Sequence, residues 1–218
     1  MNHVFHLARL TMLLSIALLT ACETAYYSAW EKIGVEKRDI MIDRIEEAQE
    51  AQEDGQEQFK DALEQFRSVV NYDGGNLEKV YDKLNGEYED SVEAADDIKS
   101  RIESVDDVAG DLFAEWKKEI GEFSDAKLRR DSQAKLTSTK TQYAKLLKSM
   151  RSAEKTMNPV LATLKDQVLY LKHNLNARAI ASLDSELQTI NADVDRLVKA
   201  MQKSIDESKS FIAQMKDA

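Results

Sequence analysis

A heptad repeat of apolar and small residues is the feature that most constrains this chain. From residue 41 to residue 69 the repeat alternates steps of four and three through Met41, Ile45, Ala48, Gln52, Gly55, Phe59, Ala62, Phe66 and Val69. A 3.5-residue period keeps one stripe of a helix facing a partner helix, so the pattern predicts coiled-coil packing. Gln52 and Gly55 weaken the middle of this stripe, and they either specify the register of packing or permit a close approach.

A second heptad follows a predicted turn. Residues 71–76 place two adjacent glycines among Asn and Asp, which favours a turn. The stripe then continues through Leu77, Tyr81, Leu84, Tyr88, Ser91, Ala95, Ile98, Ile102, Val105, Ala109, Leu112 and Trp116. Ser104 and Asp107 resemble a capping pair, and glycines 110 and 121 weaken helix. We therefore expect a kink or a short corner between residues 104 and 125.

Helical patterns also fill the rest of the chain. Residues 126–157 carry one apolar face, and Asn158-Pro159 is typical of a helix start, with Asn as the N-cap and Pro at the first helical position. The stripe of the last helix changes phase near residues 178–182, which we interpret as a stutter. The apolar positions are Leu136, Tyr143, Leu147, Met150 and Met157, then Leu161, Leu164, Val168, Leu171, Leu175, Leu183, Leu187, Ile190, Val194, Leu197, Met201, Phe211 and Met215.

These patterns predict an all-α fold over residues 35–218, an elongated antiparallel helical bundle or coiled coil of three to four long helices. Composition agrees, because 32% of the residues are charged, only one is proline and aromatic residues are few. The hydrophobic fraction of 43% argues against general disorder.

The first 21 residues have the pattern of a secretory signal peptide. Arg9 precedes an apolar run from residue 10 to residue 19, which is about half the length that a membrane-spanning helix needs. Small residues then lead to Cys22, the single cysteine. The alternative is an uncleaved membrane anchor that happens to contain a cysteine.

Leu19-Thr20-Ala21-Cys22 resembles the lipobox of bacterial lipoproteins. The resemblance implies that the Cys22 thiol receives a lipid and that cleavage leaves Cys22 as the first residue. Residues 22–34 would then form a lipidated tether. By the same resemblance, Glu23 after the cysteine implies the periplasmic face of the outer membrane rather than the inner membrane. Tyr26, Tyr27 and Trp30 would either lie at the headgroup level or hold the first helix against its neighbours.

Charge is segregated along the chain. The net charge of −10 disfavours nucleic acid as a partner. Residues 86–126 contain fourteen acidic and four basic residues, whereas residues 127–172 contain eleven basic and three acidic residues. Either the two stretches pair inside one bundle, or the basic stretch binds an anionic polymer or lipid headgroups through Lys127, Arg129, Arg130, Lys135, Lys140, Lys145 and Lys148.

We expect no catalytic residue, cofactor site or metal site. A Ser-His-Asp or Cys-His site needs a base positioned beside its nucleophile; His173 would be the only histidine after signal removal, and the lipid would consume the Cys22 thiol. Tyr170 stands where a helical carboxylate–histidine metal motif needs an acid. Residues 73–76 lack the lysine and hydroxyl of a phosphate-binding loop.

Three stretches resemble a proteobacterial family known as domain of unknown function 2959. They begin at Ala25 with Ala-Tyr-Tyr-Ser-Ala-Trp-Glu-Lys-Ile-Gly-Val-Glu-Lys-Arg-Asp-Ile, at Asn71 with Asn-Tyr-Asp-Gly-Gly-Asn-Leu, and at Tyr170, continuing to Leu183. The resemblance implies a helical, lipid-anchored protein and supplies no activity or catalytic residue.

The sequence therefore predicts a lipid-anchored envelope protein that is not an enzyme. Its helical rod would bind another envelope protein, itself or the cell wall. The alternative function is a chaperone-like or ligand-binding helical module of the periplasm. An apolar cluster near the predicted corner distinguishes the two functions. If its side chains are exposed to solvent, the alternative is favoured; if they are buried, the rod is favoured. The cluster comprises Leu112, Phe113, Trp116, Ile120 and Phe123.

Overall fold

Four long helices make up the described part of the protein. The computed structural model describes residues 37–72, 74, 76–174 and 176–216. The helices are α1 (Lys37–Val70), α2 (Leu77–Glu122), α3 (Ala126–His173) and α4 (Ala177–Lys216), and no strand occurs in these ranges. The predicted all-α bundle is confirmed, with four helices.

The helices form a closed ring in which each helix packs on two neighbours. α1 contacts α2 and α4, and α3 also contacts α2 and α4. Consecutive helices run antiparallel because the connections are short. The 48 residues of α3 rise about 72 Å at 1.5 Å per residue. The bundle is therefore elongated.

The predicted seam lies in the core. All nine positions of the first heptad stripe, from Met41 to Val69, are buried. Every described position of the later stripes is buried or half-buried. The buried apolar side chains form one continuous cluster. Because removing apolar surface from water is the main favourable term in folding, this seam holds the four helices together.

Gly55 permits the close approach of α2 to α1. A Cβ atom at this position would lie 2.6 Å from Cδ1 of Ile98, closer than carbon atoms pack. Glycine thus makes room for the fully buried Ile98 side chain. Of the two roles considered for this glycine, close approach is the one that the contact supports.

The predicted turn between α1 and α2 is confirmed. Gly74 has a φ of 126°, a left-handed backbone conformation that glycine tolerates best. Asn76 caps α2 by accepting hydrogen bonds from the backbone N–H of Glu78 at 2.9 Å and of Lys79 at 3.3 Å. The cap satisfies amides that have no partner inside the helix.

The corner expected between residues 104 and 125 lies at the C-terminal end of that range. α2 continues to Glu122, and residues 123–125 connect it to α3. The capping pair predicted at Ser104 is wrong, because Ser104 lies inside α2 and its hydroxyl donates to the Ser100 carbonyl at 3.0 Å. Ile102 and Val105 are fully buried on either side, so packing keeps this segment helical.

The helix start predicted at Asn158-Pro159 is also wrong. Pro159 lies inside α3, which runs unbroken from Ala126 to His173. Proline cannot donate to the Lys155 carbonyl, and it disfavours helix for that reason. Burial of Met157, Val160 and Leu164 across this point offsets the cost by packing.

The stutter predicted near residues 178–182 is a reversal of the chain. α3 ends at His173, and Asn174 donates its backbone N–H to the Leu171 carbonyl at 3.0 Å and its side-chain amide to the Tyr170 carbonyl at 3.0 Å. α4 then begins at Ala177 and returns along α3. The stripe changes phase because a new helix starts, and Leu175 lies outside the described residues.

Candidate functional site

The predicted lipid attachment residue, Cys22, lies outside the described residues, as do residues 23–36. The chain enters the bundle at Lys37, the first residue of α1. The α2–α3 connection and the last residue of α4, Lys216, lie at this same end. An ion pair of 3.0 Å joins Lys37 to Glu115 of α2, and one of 3.1 Å joins Lys216 to Glu46 of α1.

The α2–α3 hairpin extends past the other two helices at this end. α2 continues for seven residues beyond Glu115 to Glu122, a rise of about 11 Å. We call residues 117–135 the hairpin tip. Residues 121–131 are all exposed, as expected of a segment that projects beyond α1 and α4.

A half-open cleft lies beneath the hairpin tip. Its volume is about 200 Å³, and its lining includes Arg38, Leu112, Trp116 and Met215 from three helices. The Trp116 indole N–H donates to the Ser132 hydroxyl at 2.9 Å. This bond ties α2 to α3 across the base of the tip.

The apolar cluster proposed as a client-binding surface is mostly covered. Phe113 and Ile120 are buried, Leu112 and Trp116 are half-buried, and only Phe123 is exposed, at 37%. The cluster therefore belongs to the bundle core rather than to a client groove, and this observation favours the rod over the chaperone-like module.

An aromatic group joins three helices below the cluster. The Tyr143 ring of α3 meets the rings of Phe113 at 5.4 Å and Phe211 at 6.3 Å between centroids, both edge-on. Burial, together with a 2.7 Å hydrogen bond that its hydroxyl donates to Asp106, raises the pKa of Tyr143 well above its ordinary value. The phenol therefore stays protonated and serves as a hydrogen-bond donor.

The middle of the core contains a polar layer. Gln52 donates its side-chain amide to the Ala48 carbonyl at 3.1 Å, and Ser208 donates to the Ser204 carbonyl at 3.0 Å. The Gln52 side-chain oxygen and the Ser204 hydroxyl are buried without a hydrogen-bond partner among the described residues. Amides and hydroxyls of this kind bear no charge at neutral pH, so the layer affects packing specificity rather than proton transfer.

His173 is the last residue of α3, and its side chain is exposed. Among the residues that the structure describes, no group of three or more His, Cys, Asp or Glu side chains is placed to hold a metal ion. Within the same ranges no helix is long and apolar enough to cross a membrane.

The helices that carry the acidic and basic stretches, α2 and α3, lie side by side, and basic residues of α3 pair with acidic residues of both neighbouring helices. Lys145 of α3 meets Glu207 of α4 at 2.9 Å, and Arg151 meets Asp106 of α2 at 4.0 Å. Lys140 lies 5.4 Å above the ring of Phe113. Internal contacts thus involve the later part of the basic stretch.

The basic residues near the start of α3 are arranged differently. Arg129 donates to the Phe123 carbonyl across the α2–α3 turn. Lys127 and Arg130 are exposed and make no ion pair with any residue in the described ranges. This part of the stretch faces solvent at the hairpin tip.

Comparison with known proteins places the chain in a family. The sequence pattern of the family described as "Protein of unknown function (DUF2959)" matches residues 26–215. The chain belongs to the DUF2959 family. The match covers the three stretches that carry the resemblance from Tyr26 onward, and it begins after Cys22. No curated protein and no solved structure matches this DUF2959 chain.

Proposed function

We propose that this DUF2959 protein is a lipid-anchored bacterial envelope protein whose helical rod has a structural or protein-interaction role. The observation that carries the proposal is the lipobox-like Leu19-Thr20-Ala21-Cys22, fifteen positions before a bundle that begins at Lys37. Secretion, lipid attachment and the absence of a catalytic step are all parts of the proposal. The outer membrane, facing the periplasm, is the proposed location.

A lipid on Cys22 would hold the bundle close to a membrane. Two or three acyl chains, at about 0.8 kcal/mol for each buried methylene, bind essentially permanently. The fifteen residues from Cys22 to Lys37 reach at most about 50 Å when fully extended. The end of the bundle that contains Lys37 would therefore lie nearest the lipid, and the end with residues 71–76 and 174–176 would point away.

A rod of this length suits contact between two places in the envelope. The helices present charged and polar faces over about 70 Å, and their apolar residues are mostly used in the core. The partner is another envelope protein, a second copy of this chain or the cell wall. Crosslinking in intact cells from exposed positions near residues 71–76 would identify which of these it contacts.

Replacing Cys22 tests the anchor. In cells supplied with labelled palmitate, the wild-type protein should incorporate label and fractionate with membranes. Cys22→Ser should abolish the label and leave the larger precursor, because the thiol is the acceptor. Ser28→Ala, a conservative change in the same segment, should retain label and processing. Wild-type protein that takes up no palmitate would contradict the proposal.

A further inference from the structure

We propose that the hairpin tip is a second membrane contact, which rests in the headgroup layer of an anionic phospholipid surface. The inference rests on the proposed function, because it places the tip on the same membrane that holds the lipid on Cys22. It adds an orientation to that function, because the rod would stand on the membrane with its α2–α3 turn.

Position is the first argument. The described part of α1 begins at Lys37, which pairs with Glu115, and α2 continues past this level to Glu122, with Phe123 as its C-cap. Phe123 lies eight positions after Glu115, a rise of about 12 Å. The fifteen residues back to Cys22 extend at most about 50 Å. The tether is therefore long enough for the tip to reach the membrane first.

Exposed apolar side chains are the second argument. Among the described residues, the large hydrophobic side chains that are exposed are Phe123 at 37%, Leu128 at 53% and Leu169 at 47%. Two of these three lie within six residues of each other at the tip. Aromatic and apolar side chains at such a position suit the boundary between water and acyl chains.

The turn that presents these side chains is well capped. The Asp125 side chain accepts hydrogen bonds from the backbone N–H of Lys127 at 2.6 Å and of Leu128 at 3.0 Å. Arg129 bonds the Phe123 carbonyl from the other side. Phe123 and Leu128 thus project from a fixed turn, which lowers the entropy lost when they are buried.

Charge favours a lipid surface with anionic headgroups. In a chain of net charge −10, the hairpin tip holds six basic and four acidic residues. One of the acids, Asp125, is occupied in capping α3, whereas Lys127 and Arg130 form no ion pair with other described residues. Each basic side chain near an anionic surface is worth roughly a fivefold gain in binding.

The experiment uses the lipidated full-length protein, extracted in detergent and reconstituted into vesicles of phosphatidylethanolamine and phosphatidylglycerol. The lipid blocks Cys22, the single natural cysteine, so a new cysteine can be labelled alone. Phe123→Cys and Leu128→Cys each receive a fluorophore sensitive to polarity. Leu169→Cys is the matched control, because Leu169 is similarly exposed but lies about 60 Å further along α3.

The label at residues 123 and 128 should shift to shorter wavelength and be quenched by phospholipids with spin-labelled chains. The label at residue 169 should show neither effect. Equal signals at all three positions, with the protein still floating with the vesicles, would overturn the tip contact and leave the anchor intact. If the protein does not float with the vesicles and its Cys22 thiol reacts with the fluorophore, the cysteine carries no lipid. That result would overturn both the proposed function and the tip contact.

Charge reversal provides a second test with its own control. Lys127→Glu combined with Arg130→Glu should remove most of the shift at residue 128 while flotation and helical circular dichroism stay unchanged. Lys165→Glu combined with Lys172→Glu, exposed on the distal part of α3, should leave the shift intact. A shift that ignores the tip reversal, or one that appears without vesicles and grows with protein concentration, would assign the tip to a protein contact and overturn the inference.

Discussion

Two residues that interrupt the apolar stripe of α1 show how single side chains set the packing of the bundle. Gly55 makes room for Ile98 of α2, so a residue that weakens helix in isolation strengthens the contact between helices. Gln52 instead weakens the packed core, since its buried side-chain oxygen has no hydrogen-bond partner among the described residues. A buried polar group that is only partly satisfied costs stability, although it can restrict the register of packing.

Replacing Gln52 by methionine should stabilise the bundle. Gln52→Met keeps the shape of the side chain and removes the buried amide, for a gain of about 1–2 kcal/mol. The midpoint of thermal unfolding, followed by circular dichroism at 222 nm, should rise. Gln202→Met is the matched control, because Gln202 is exposed on α4 and its replacement should change little. A lower midpoint for Gln52→Met would mean that its amide is satisfied in solution.

Helices and their ends differ in how far the sequence predicts them. The heptads identify the buried faces of α1 and α2 because periodicity follows directly from burial. The turn at residues 71–76 is predicted because its glycines and Asn76 cap act locally. The reversal at residues 174–176 contains similar signals, with Lys172, His173 and Asn174 at the end of α3, yet the apolar stripe on both sides concealed it. At Pro159 the local signal was overridden by burial on either side.

The candidate site likewise has one part that the local sequence predicts and one part that depends on the assembled bundle. The lipobox-like stretch at residues 19–22 is a linear motif, and a motif of this kind can be recognised without a structure. The hairpin tip depends on which helices are longer than their neighbours and on which end the chain enters. Neither property is encoded in a local pattern around Phe123 or Leu128, so only the assembled bundle reveals it.

Proline within α3 predicts a stabilising substitution. Pro159→Ala should restore the hydrogen bond to the Lys155 carbonyl. Proline is about 3 kcal/mol less favourable than alanine inside a helix, and the greater freedom of the unfolded chain takes back about 0.4–1 kcal/mol. We expect a net gain of roughly 2 kcal/mol in urea unfolding. Asn158→Ala, which keeps the proline, is the control; an equal effect of both changes would contradict this explanation.

Ion pairs between α1 and α2 make a small, pH-dependent contribution. Glu47 of α1 lies 2.7 Å from Arg44 and 3.0 Å from Arg101 of α2. Burial alone would raise the pKa of Glu47, but hydrogen bonds and charge attraction from Arg44 and Arg101 outweigh it and hold the pKa below its ordinary value of 4.5. The folded state therefore favours the charged carboxylate.

Glu47→Gln should destabilise the bundle at neutral pH and lose this effect in acid. A lowered pKa contributes stability above the ordinary value, and that contribution disappears as the pH falls through the lowered pKa. The Glu47 side chain is 36% exposed, so the effect should be that of a surface pair, roughly 0.2–1 kcal/mol. Melting of both proteins from neutral pH to well below 4.5 tests this; a difference that persists in acid would exclude an ionic origin.

The basic residues of α3 have different surroundings in the middle of the bundle and at the hairpin tip. Towards the middle, α3 pairs with its neighbours through Lys145 and Arg151, so part of the basic stretch is internal. At the hairpin tip, Lys127 and Arg130 face solvent beside exposed apolar side chains. With the proposed membrane contact of the tip, the two interpretations of the basic stretch would apply to different segments of one helix, and the boundary between them would be the level at which α4 ends.

The length of the bundle can be measured directly. For residues 23–218, a compact globule would have a radius of gyration of about 16 Å. A four-helix rod about 72 Å long and two helices wide has a radius of gyration of about 22 Å. Small-angle X-ray scattering of this segment at low concentration should give the larger value and a maximum dimension of at least about 70 Å. A value near that of the globule would contradict the extended hairpin and, with it, a tip that reaches beyond α1 and α4. Leu187→Asp, a charge placed on a half-buried seam position, is the control variant, and loss of helix should raise its radius further because unfolded chains expand.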